Sequence, residues 1–357
     1  MSHTVALDIG SSAVAGAELR SSKGRVTLAK AAMEPLSPGL VKDGEIVNSG
    51  ALAIELRRFW RAQGFSGKRV RLGVANQRVA VRIIEIPALD DPNERRSAAR
   101  FEAAEQIPMP QESTVVDFQP IMRFSTESGE RERVVVVVAD RDMVQALADV
   151  ARRAGLVPTA IDLESFAILR ALLPPPPVVD EGSPDTPARA ICHVGAQVTN
   201  MMIAVDRRCH FTRMVGFGGA QLTAAVSERT GLSPSEAEGL KLACGLLGEP
   251  VEGYEPALVA EVHEALAVAA RPLAREIGRS LEYYGSQDFS RPVDRLVLSG
   301  GTSLCVGLDR YLAQALNTPV QRGNPLTCLH DTPHLDAALA ARTAVAVGLA
   351  LDEPDAA

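Results

Sequence analysis

The chain has 357 residues, of which 46% are hydrophobic, and a formal net charge of −7. This composition predicts a globular protein of about two domains rather than a disordered chain. The acidic balance argues against non-specific nucleic-acid binding, which requires a basic surface. The sequence has no apolar run of about 18 residues, the minimum for a membrane-spanning helix. Its five cysteines form no CxxC pair and its first residues resemble no export signal, so we expect a cytoplasmic protein with reduced thiols.

The N-terminal residues predict an antiparallel meander of three strands. Polar turns at Ser11–Ser12 and Ser21–Arg25 separate apolar runs, which is the pattern of consecutive β-hairpins. The predicted strands are Thr4–Gly10, Ala13–Arg20 and Val26–Ala32. The next predicted elements are a loop at Leu36–Asn48, a helix at Ser49–Gln63, and strands at Val70–Ala75 and Val79–Ile86.

The stretch Val81–Ile161 predicts a compact α+β unit. A charged helix at Asp90–Gln106 ends where Pro108 and Pro110 follow, because proline cannot continue a helix. The elements predicted after it are strands Val115–Phe124 and Val134–Asp140, helix Arg141–Ala154, and strand Val157–Leu163.

A second meander begins at Ala190 and repeats the design of the first. Its predicted strands are Ala190–Gly195, Asn200–Asp206 and Cys209–Val215. Because Gly10 and Gly195 hold the same place in the two copies, we expect a duplicated protein whose two glycine turns face each other across a cleft. The proline run Pro174–Pro177, followed by acidic residues, predicts a stiff linker between the lobes.

The remainder of the chain is mainly helical by its pattern. Ser233 and Glu236 form a capping box, which marks the start of a helix. The predicted elements are a strand at Val293–Leu298 and helices at Ala220–Thr230, Ser233–Leu246, Pro256–Tyr284, Leu308–Leu316 and Leu335–Ala350.

Three glycine-bearing turns are candidates for binding phosphate: Asp8–Ser12, Gly195–Thr199 and Ser299–Thr302. Glycine allows close approach of the backbone, and successive N–H groups and hydroxyls can bind phosphate oxygens. Asp8 is placed to hold a hydrated metal ion. The chain has neither a Walker A motif nor the G-x-G-x-x-G pattern, so a P-loop or Rossmann site is not expected.

Taken together, these stretches resemble the actin-like ATPase superfamily. VALDIGSS, AICHVGAQVTN, SEAEGLK and LVLSGGTSLCVGL are similar to its phosphate-1, phosphate-2, adenosine-side and adenosine motifs. Within the superfamily, the chain is most similar to the PilM family of type IV pilus assembly proteins, relatives of the division protein FtsA. GLVKDGEIVN, FEAAEQIPMP, GLVPTAIDLESFA and FTRMVGFGGAQLT follow the family's order.

The resemblance implies an α/β fold, the duplicated actin-like (ribonuclease H-like) two-lobed ATPase fold, with an SHS2-type α+β insert in the first lobe. The implied subdomains are a first-lobe core at 1–80 with 162–173 and 335–357, the insert at 81–161, the Pro-rich linker at 174–189, a second-lobe core at 190–219 and 292–334, and a helical outer subdomain at 220–291.

The resemblance also implies that ATP lies between the lobes, with Mg²⁺ at Asp8. Gly10, Ser11 and Ser12 would face the phosphates from one side, and Gly195 and Thr199 from the other. Glu238 and Lys241 would reach the ribose or adenine, and Gly300 and Gly301 would lie beneath the purine. From the residues alone, Glu238 and Lys241 are an ordinary surface pair on one helix face.

One position departs from the family pattern. The family usually has an aspartate two residues before the second-lobe glycine, where this chain has His193. A neutral imidazole is a poor ligand for Mg²⁺, which prefers oxygen. We therefore expect retained or weakened ATP binding, doubtful Mg²⁺ binding and very slow or absent hydrolysis. Alternatively, His193 is a hydrogen-bonded core residue.

The function that the resemblance implies is a scaffold at the inner membrane. It would bind the cytoplasmic N-terminal peptide of a PilN-like membrane protein, without inserting into the membrane itself, and connect to pilus motor or platform proteins. The family's groove lies between the first-lobe core and the insert, which makes Val81–Ile86 and Phe101–Ile107 candidates.

Two alternatives belong to other functional classes. One is an active enzyme, either an actin-like ATPase or a small-molecule kinase, which needs a carboxylate base. The other is an FtsA-like filament anchor, which requires a basic amphipathic C-terminal helix. The acidic ending LDEPDAA argues against the anchor.

Overall fold

Two five-stranded sheets with the same strand order form the centre of the molecule. The computed structural model describes residues 2–127, 129–174, 186–332 and 335–351. Most of the predicted linker and the acidic ending lie outside these residues. In each sheet, an antiparallel meander is extended by two parallel strands. The predicted duplication and the two-lobed α/β fold are therefore confirmed.

The first sheet has the order β10-β6-β1-β2-β3. The apolar alternation of its meander gives long strands, and Asn48 caps the first helix through its side chain. The elements of this lobe are β1 (Ser2–Ile9), β2 (Ala13–Ser22), β3 (Arg25–Pro35), β4 (Val41–Lys42), β5 (Glu45–Ile46), α1 (Ser49–Gln63) and β6 (Arg69–Val74), and after the insert α3 (Arg141–Arg153), β10 (Val157–Leu163) and α4 (Glu164–Leu172).

The insert is a three-stranded sheet of order β7-β9-β8 with one helix on its face. It comprises β7 (Val79–Pro87), α2 (Pro92–Gln106), a 3₁₀ turn at Gln111–Ser113, β8 (Thr114–Thr126) and β9 (Gly129–Asp140). The helix α3 instead packs on α1 in the apolar cluster of the first sheet. The subdomain boundaries 81–161 stay a prediction. Within that range, β10 pairs with β6 of the first sheet and α3 packs in the apolar cluster of the first lobe.

The second sheet has the order β13-β12-β11-β14-β15 and carries most of the remaining helices. The elements of the second lobe are β11 (Ala188–Val194), β12 (Thr199–Val205), β13 (Arg208–Val215), α5 (Gly219–Thr230), α6 (Pro234–Cys244), α7 (Pro256–Ala269), α8 (Arg271–Gly285), β14 (Val293–Ser299), a 3₁₀ turn at Gly301–Leu304, α9 (Leu308–Leu316) and β15 (Val320–Arg322). The chain then continues with α10 (Ala337–Arg342) and α11 (Ala344–Ala350).

Two predicted helices are each divided in the structure. The single helix expected at Pro256–Tyr284 breaks at Ala270, because Pro272 has no amide hydrogen to continue the α7 ladder. The helix expected at Leu335–Ala350 divides at Thr343, whose hydroxyl donates to the carbonyl of Leu339. The predicted capping box of Ser233 and Glu236 is confirmed at the start of α6.

A shared apolar cluster joins the two lobes. It contains α4 and α11, which lie between Ala6 and Ala17 of the first sheet and Ile191 and Met202 of the second. Gly348 permits the close crossing of α11 over α4, since a Cβ there would overlap the carbonyl oxygen of Ala167. The lobes therefore share a core, with the candidate site at one end of it.

Candidate functional site

The predicted phosphate turns lie at the carboxyl ends of corresponding strands in the two sheets. Gly10 follows β1 and donates to the carbonyl of Ala13 at 3.0 Å, and Gly195 follows β11 and donates to that of Val198 at 2.9 Å. The two turns are thus built in the same way. The hydroxyls of Ser11 and Ser12 have no hydrogen-bond partner within the described part of the chain, and both residues are at least partly exposed. They are available to a ligand.

The turns of the second lobe form one hydrogen-bonded cluster. The carbonyl of Gly195 accepts from the Gly219 amide and from the Thr302 hydroxyl, each at 2.9 Å. The Thr199 hydroxyl donates to the carbonyl of Phe217 at 2.7 Å. Gly300, next to Gly301, has φ 88°, a conformation that favours glycine. The structure therefore brings Gly195, Thr199 and the Gly300–Gly301 turn together.

Lys241 lies in the interior beside this cluster, rather than on the surface. Its side chain is 2% exposed, and its ammonium donates to Glu238 at 2.5 Å and to the Thr223 hydroxyl at 3.1 Å. It also reaches the carbonyl of Gly219 at 3.4 Å. The side chain of Glu238 is 45% exposed. The pair therefore supports the glycine cluster, and its accessible member is Glu238.

A second carboxyl, absent from the predicted site residues, lies near Asp8. Glu164 begins α4, directly after β10, and accepts from the Asn200 amide at 3.2 Å. Burial raises the pKa of Asp8 to about 7. Burial, and then the charge of Asp8, raise the pKa of Glu164 well above its usual value. A divalent cation bound by both carboxylates would relieve this repulsion.

The signal for Glu164 was present in the sequence. Parallel strands such as β1, β6 and β10 end at the same edge of a sheet, so an acidic residue at the end of β1 and another directly after β10 lie close together. Gly73, in the intervening strand β6, leaves room for the Glu164 side chain, because a Cβ at residue 73 would lie 3.1 Å from Glu164 Cγ.

His193 is buried at the end of β11. It is 9% exposed, and its Nδ1 lies 3.3 Å from the Ser299 hydroxyl. Burial lowers its pKa to about 4, so the ring is neutral at pH 7. Its environment corresponds to the hydrogen-bonded core histidine that was the alternative expectation.

A hydrogen bond also crosses the cleft between the two lobes. The backbone amide of Asp43 in the first lobe donates to the side-chain oxygen of Gln197 in the second lobe at 3.0 Å.

The candidate peptide residues divide into core and surface positions. Ile84, Ile86 and Ile107 are buried in the core of the insert, whereas Phe101 is 63% exposed. A cavity of about 270 Å³, here called the α3 cavity, lies between α3, the β4–β5 hairpin and the end of β6. Its apolar lining includes Val41, Ile46, Val74, Met143, Ala146 and Leu147. Charged residues also line it, namely Glu45, Arg78, Asp142 and Glu164.

Two negative findings concern residues 2–127, 129–174, 186–332 and 335–351. Within them, no group of three or more His, Cys, Asp or Glu side chains is arranged to hold a metal ion. None of their helices is both long enough and apolar enough to cross a membrane.

Comparison with solved structures identifies related folds. The chain matches a PilM-PilN type IV pilus biogenesis complex with a TM-score of 0.80 and 25% identity, covering 97% of both chains. It matches the ethanolamine utilization protein EutJ from Carboxydothermus hydrogenoformans with a TM-score of 0.55 and 14% identity, over 98% of this chain and 89% of that one. It matches MreB5 of Spiroplasma citri bound to ADP with a TM-score of 0.53 and 13% identity, over 97% of this chain and 94% of that one. The last two likenesses concern the fold alone.

The family model for the type IV pilus assembly protein PilM matches residues 6–353. This match covers both meanders, the insert and the glycine turns, so it includes the whole architecture described above. The chain is therefore a member of the PilM family of type IV pilus assembly proteins.

Proposed function

We propose that this protein is an ATP-binding scaffold of type IV pilus assembly that binds the cytoplasmic N-terminal peptide of a PilN-like inner-membrane protein. The likeness to the PilM-PilN complex, over 97% of both chains, carries the proposal. Binding such a peptide would hold the protein at the cytoplasmic face of the inner membrane and near the pilus motor or platform proteins.

The α3 cavity is the site that we assign to the peptide. Its lining is mainly apolar, and it lies between helix α3 and the β4–β5 hairpin of the first lobe. Ala146 is exposed on α3 at its wall, so a larger side chain there fills the cavity without entering the core. Small apolar anchors of a peptide would fit a cavity of this size.

The test is titration of the labelled N-terminal peptide of the PilN-like protein from the same organism. We expect saturable binding that Ala146→Trp abolishes. The matched control is Ala260→Trp, which adds the same side chain at an exposed alanine on α7. Equal binding by Ala146→Trp and wild type would exclude the α3 cavity, and no binding by wild type would exclude the scaffold function.

The cleft between the lobes is the site that we assign to ATP. Gly10, Ser11 and Ser12 would bind phosphates from one side, and the turn that begins at Gly195 from the other, with Thr199 supporting that turn through its hydrogen bond to Phe217. Glu238 would reach the ribose, with Lys241 supporting the turn, and Gly300 and Gly301 would lie beneath the purine. Mg²⁺, if bound, would be held by Asp8 and Glu164 and would neutralise phosphate charge.

We propose weak or absent hydrolysis, because His193 is neutral and buried where the family has an aspartate. The test is calorimetric titration of ATP, with and without Mg²⁺, into wild type and His193→Asp. We expect weak or metal-independent binding by wild type and a gain of Mg²⁺-dependent affinity in the variant. Tight Mg-ATP binding and turnover by wild type would contradict this proposal.

One observation favours the alternative of an active ATPase. Asp8 and Glu164 are two carboxyls with raised pKa values, and the ionised form of such a group is a stronger base that can accept a proton from an attacking water. If the protein is an active ATPase, we expect wild type to hydrolyse ATP in single-turnover assays. We expect Glu164→Gln to bind ATP but not to hydrolyse it. Absence of hydrolysis in both proteins would exclude the alternative.

A further inference from the structure

A groove of about 950 Å³ runs over the surface of the second lobe between α8 and α9. Arg271, Arg275 and Arg279 line it from α8, and Tyr311 and Leu316 line it from α9. Residues four apart lie on one face of a helix, with a rise of about 6 Å between them. The three arginine side chains therefore form a row along the groove.

Within the described part of the chain, two of the three arginines in this row have no charge partner. Arg279 is paired with Glu276 at 2.7 Å. Arg271 and Arg275 are exposed and have no hydrogen-bond or ion-pair partner within the described residues. Glu282 also lines the groove, nearly two turns beyond Arg275. Since the chain as a whole has a net charge of −7, the basic row is a local feature.

The floor of the groove is apolar and belongs to a rigid core. Leu281 of α8, and Tyr311 and Leu316 of α9, pack against the apolar cluster of the second lobe. Gly278 leaves the floor open, because a Cβ added there would lie 3.7 Å from Leu316 Cδ2. A groove formed by two packed helices needs little ordering when a ligand binds.

We propose that this α8–α9 groove binds an acidic, amphipathic helical segment of a partner protein. Carboxylates one helical turn apart match the spacing of Arg271 and Arg275, and an apolar side chain one turn further along the partner helix contacts Gly278 and Leu316. Nucleic acids and anionic membranes instead require a broad basic surface, which a chain of net charge −7 does not favour. The groove lies on the second lobe, so this proposal is independent of the peptide site proposed for the first lobe.

The experiment is a fluorescence anisotropy titration with a labelled helical peptide that carries glutamate at every fourth position and leucine on the adjoining face. We expect saturable binding by wild type that weakens as salt concentration rises. Arg275→Glu weakens it at least about tenfold, and Arg275→Gln weakens it less. Gly278→Leu, which fills the floor, also weakens it. The matched control Arg58→Glu, at an exposed arginine on α1, binds as wild type does.

Any one of four results from the peptide titrations would overturn the proposal. They are absence of saturable binding by folded wild type, equal binding of a peptide with glutamine in place of glutamate, equal weakening by Arg58→Glu and Arg275→Glu, and unchanged binding by Gly278→Leu. Displacement of the peptide by single-stranded RNA or by phosphatidylglycerol vesicles, lost in Arg275→Glu, would assign the row to a polyanion and also overturn it. Circular dichroism of each variant confirms that it is folded.

Discussion

The guanidinium of Arg208, on β13 of the second lobe, donates a 2.6 Å hydrogen bond to the carbonyl oxygen of Ile121, on β8 of the insert. In the same region, the guanidinium of Arg133 lies 5.0 Å from the ring centre of Phe124 and 4.9 Å from that of Phe289. Phe289 belongs to the second lobe. These contacts tie the insert to the lobe that does not contain it, so a movement between the lobes must break or shift them.

Replacing Arg208 by methionine removes the donor and retains most of the apolar stem. We expect a loss of at least about 1 kcal/mol in unfolding free energy, the usual contribution of one hydrogen bond. Hydrogen exchange measured by mass spectrometry should become faster in β8 and β13, because the insert is less firmly held. Arg58→Met, at an exposed arginine on α1, is the control and should change neither quantity. Unchanged exchange in β8 would show that this contact does not hold the insert.

His210 gives the stability a dependence on pH. Burial, and then the charges of Arg291, Arg133 and Arg208, lower its pKa from 6.5 to about 4. Between pH 6.5 and 4 the unfolded chain therefore binds a proton that the folded chain does not, so stability falls as the pH falls. The loss from this group reaches about 3 kcal/mol at most.

The measurement is urea unfolding at several pH values for wild type and His210→Gln. We expect the variant to lose less stability than wild type between pH 6.5 and 4, with no such difference in slope above pH 7. The variant is the appropriate comparison because His193, whose pKa burial also lowers to about 4, remains in both proteins. Parallel curves for the two proteins would contradict the prediction.

The ion pair of Glu238 and Lys241 should respond unequally to removal of either partner. Glu238→Gln leaves the buried Lys241 ammonium without its charge partner, and we expect a loss of about 2 kcal/mol. Lys241→Met removes the buried charge and leaves a carboxylate that water can reach, so we expect a loss of about 1 kcal/mol, mainly from the lost hydrogen bonds. The double variant should resemble Lys241→Met. Urea unfolding of all four proteins tests this, and a larger loss in Lys241→Met would reverse the interpretation.

The crossing of α4 and α11 should not tolerate a side chain at Gly348. Gly348→Ala places a Cβ against the carbonyl oxygen of Ala167, so the helices must separate, with an expected loss of about 3 kcal/mol. Gly239→Ala is the matched control inside α6, where a Cβ meets nothing within 4 Å. It should stabilise the protein by about 0.5 kcal/mol, since alanine favours helix. Thermal unfolding compares the two, and equal shifts would show that the close crossing is unimportant.

The sequence predicted the local elements well where a residue pattern and a stop signal agreed. The helix Ser49–Gln63 has the predicted bounds, and the two glycine turns recur at Gly10 and Gly195 as expected. The same reasoning failed at Ala270, where apolar periodicity continued across a break that Pro272 imposes. Periodicity reports which residues are buried, and it does not report whether the backbone ladder is continuous.

By itself, the sequence determined the family, the duplicated two-lobed fold and the positions of the glycine turns. The fold elements and turns follow from apolar periods and turn residues, which are local, and the family follows from the resemblance of motifs in their order along the chain. Only the tertiary structure decided that Glu164 lies by Asp8, that Lys241 is buried, and that α3 packs on α1. The reason is physical: burial and the meeting of polar groups depend on strand order and helix packing, which bring together residues far apart in the chain.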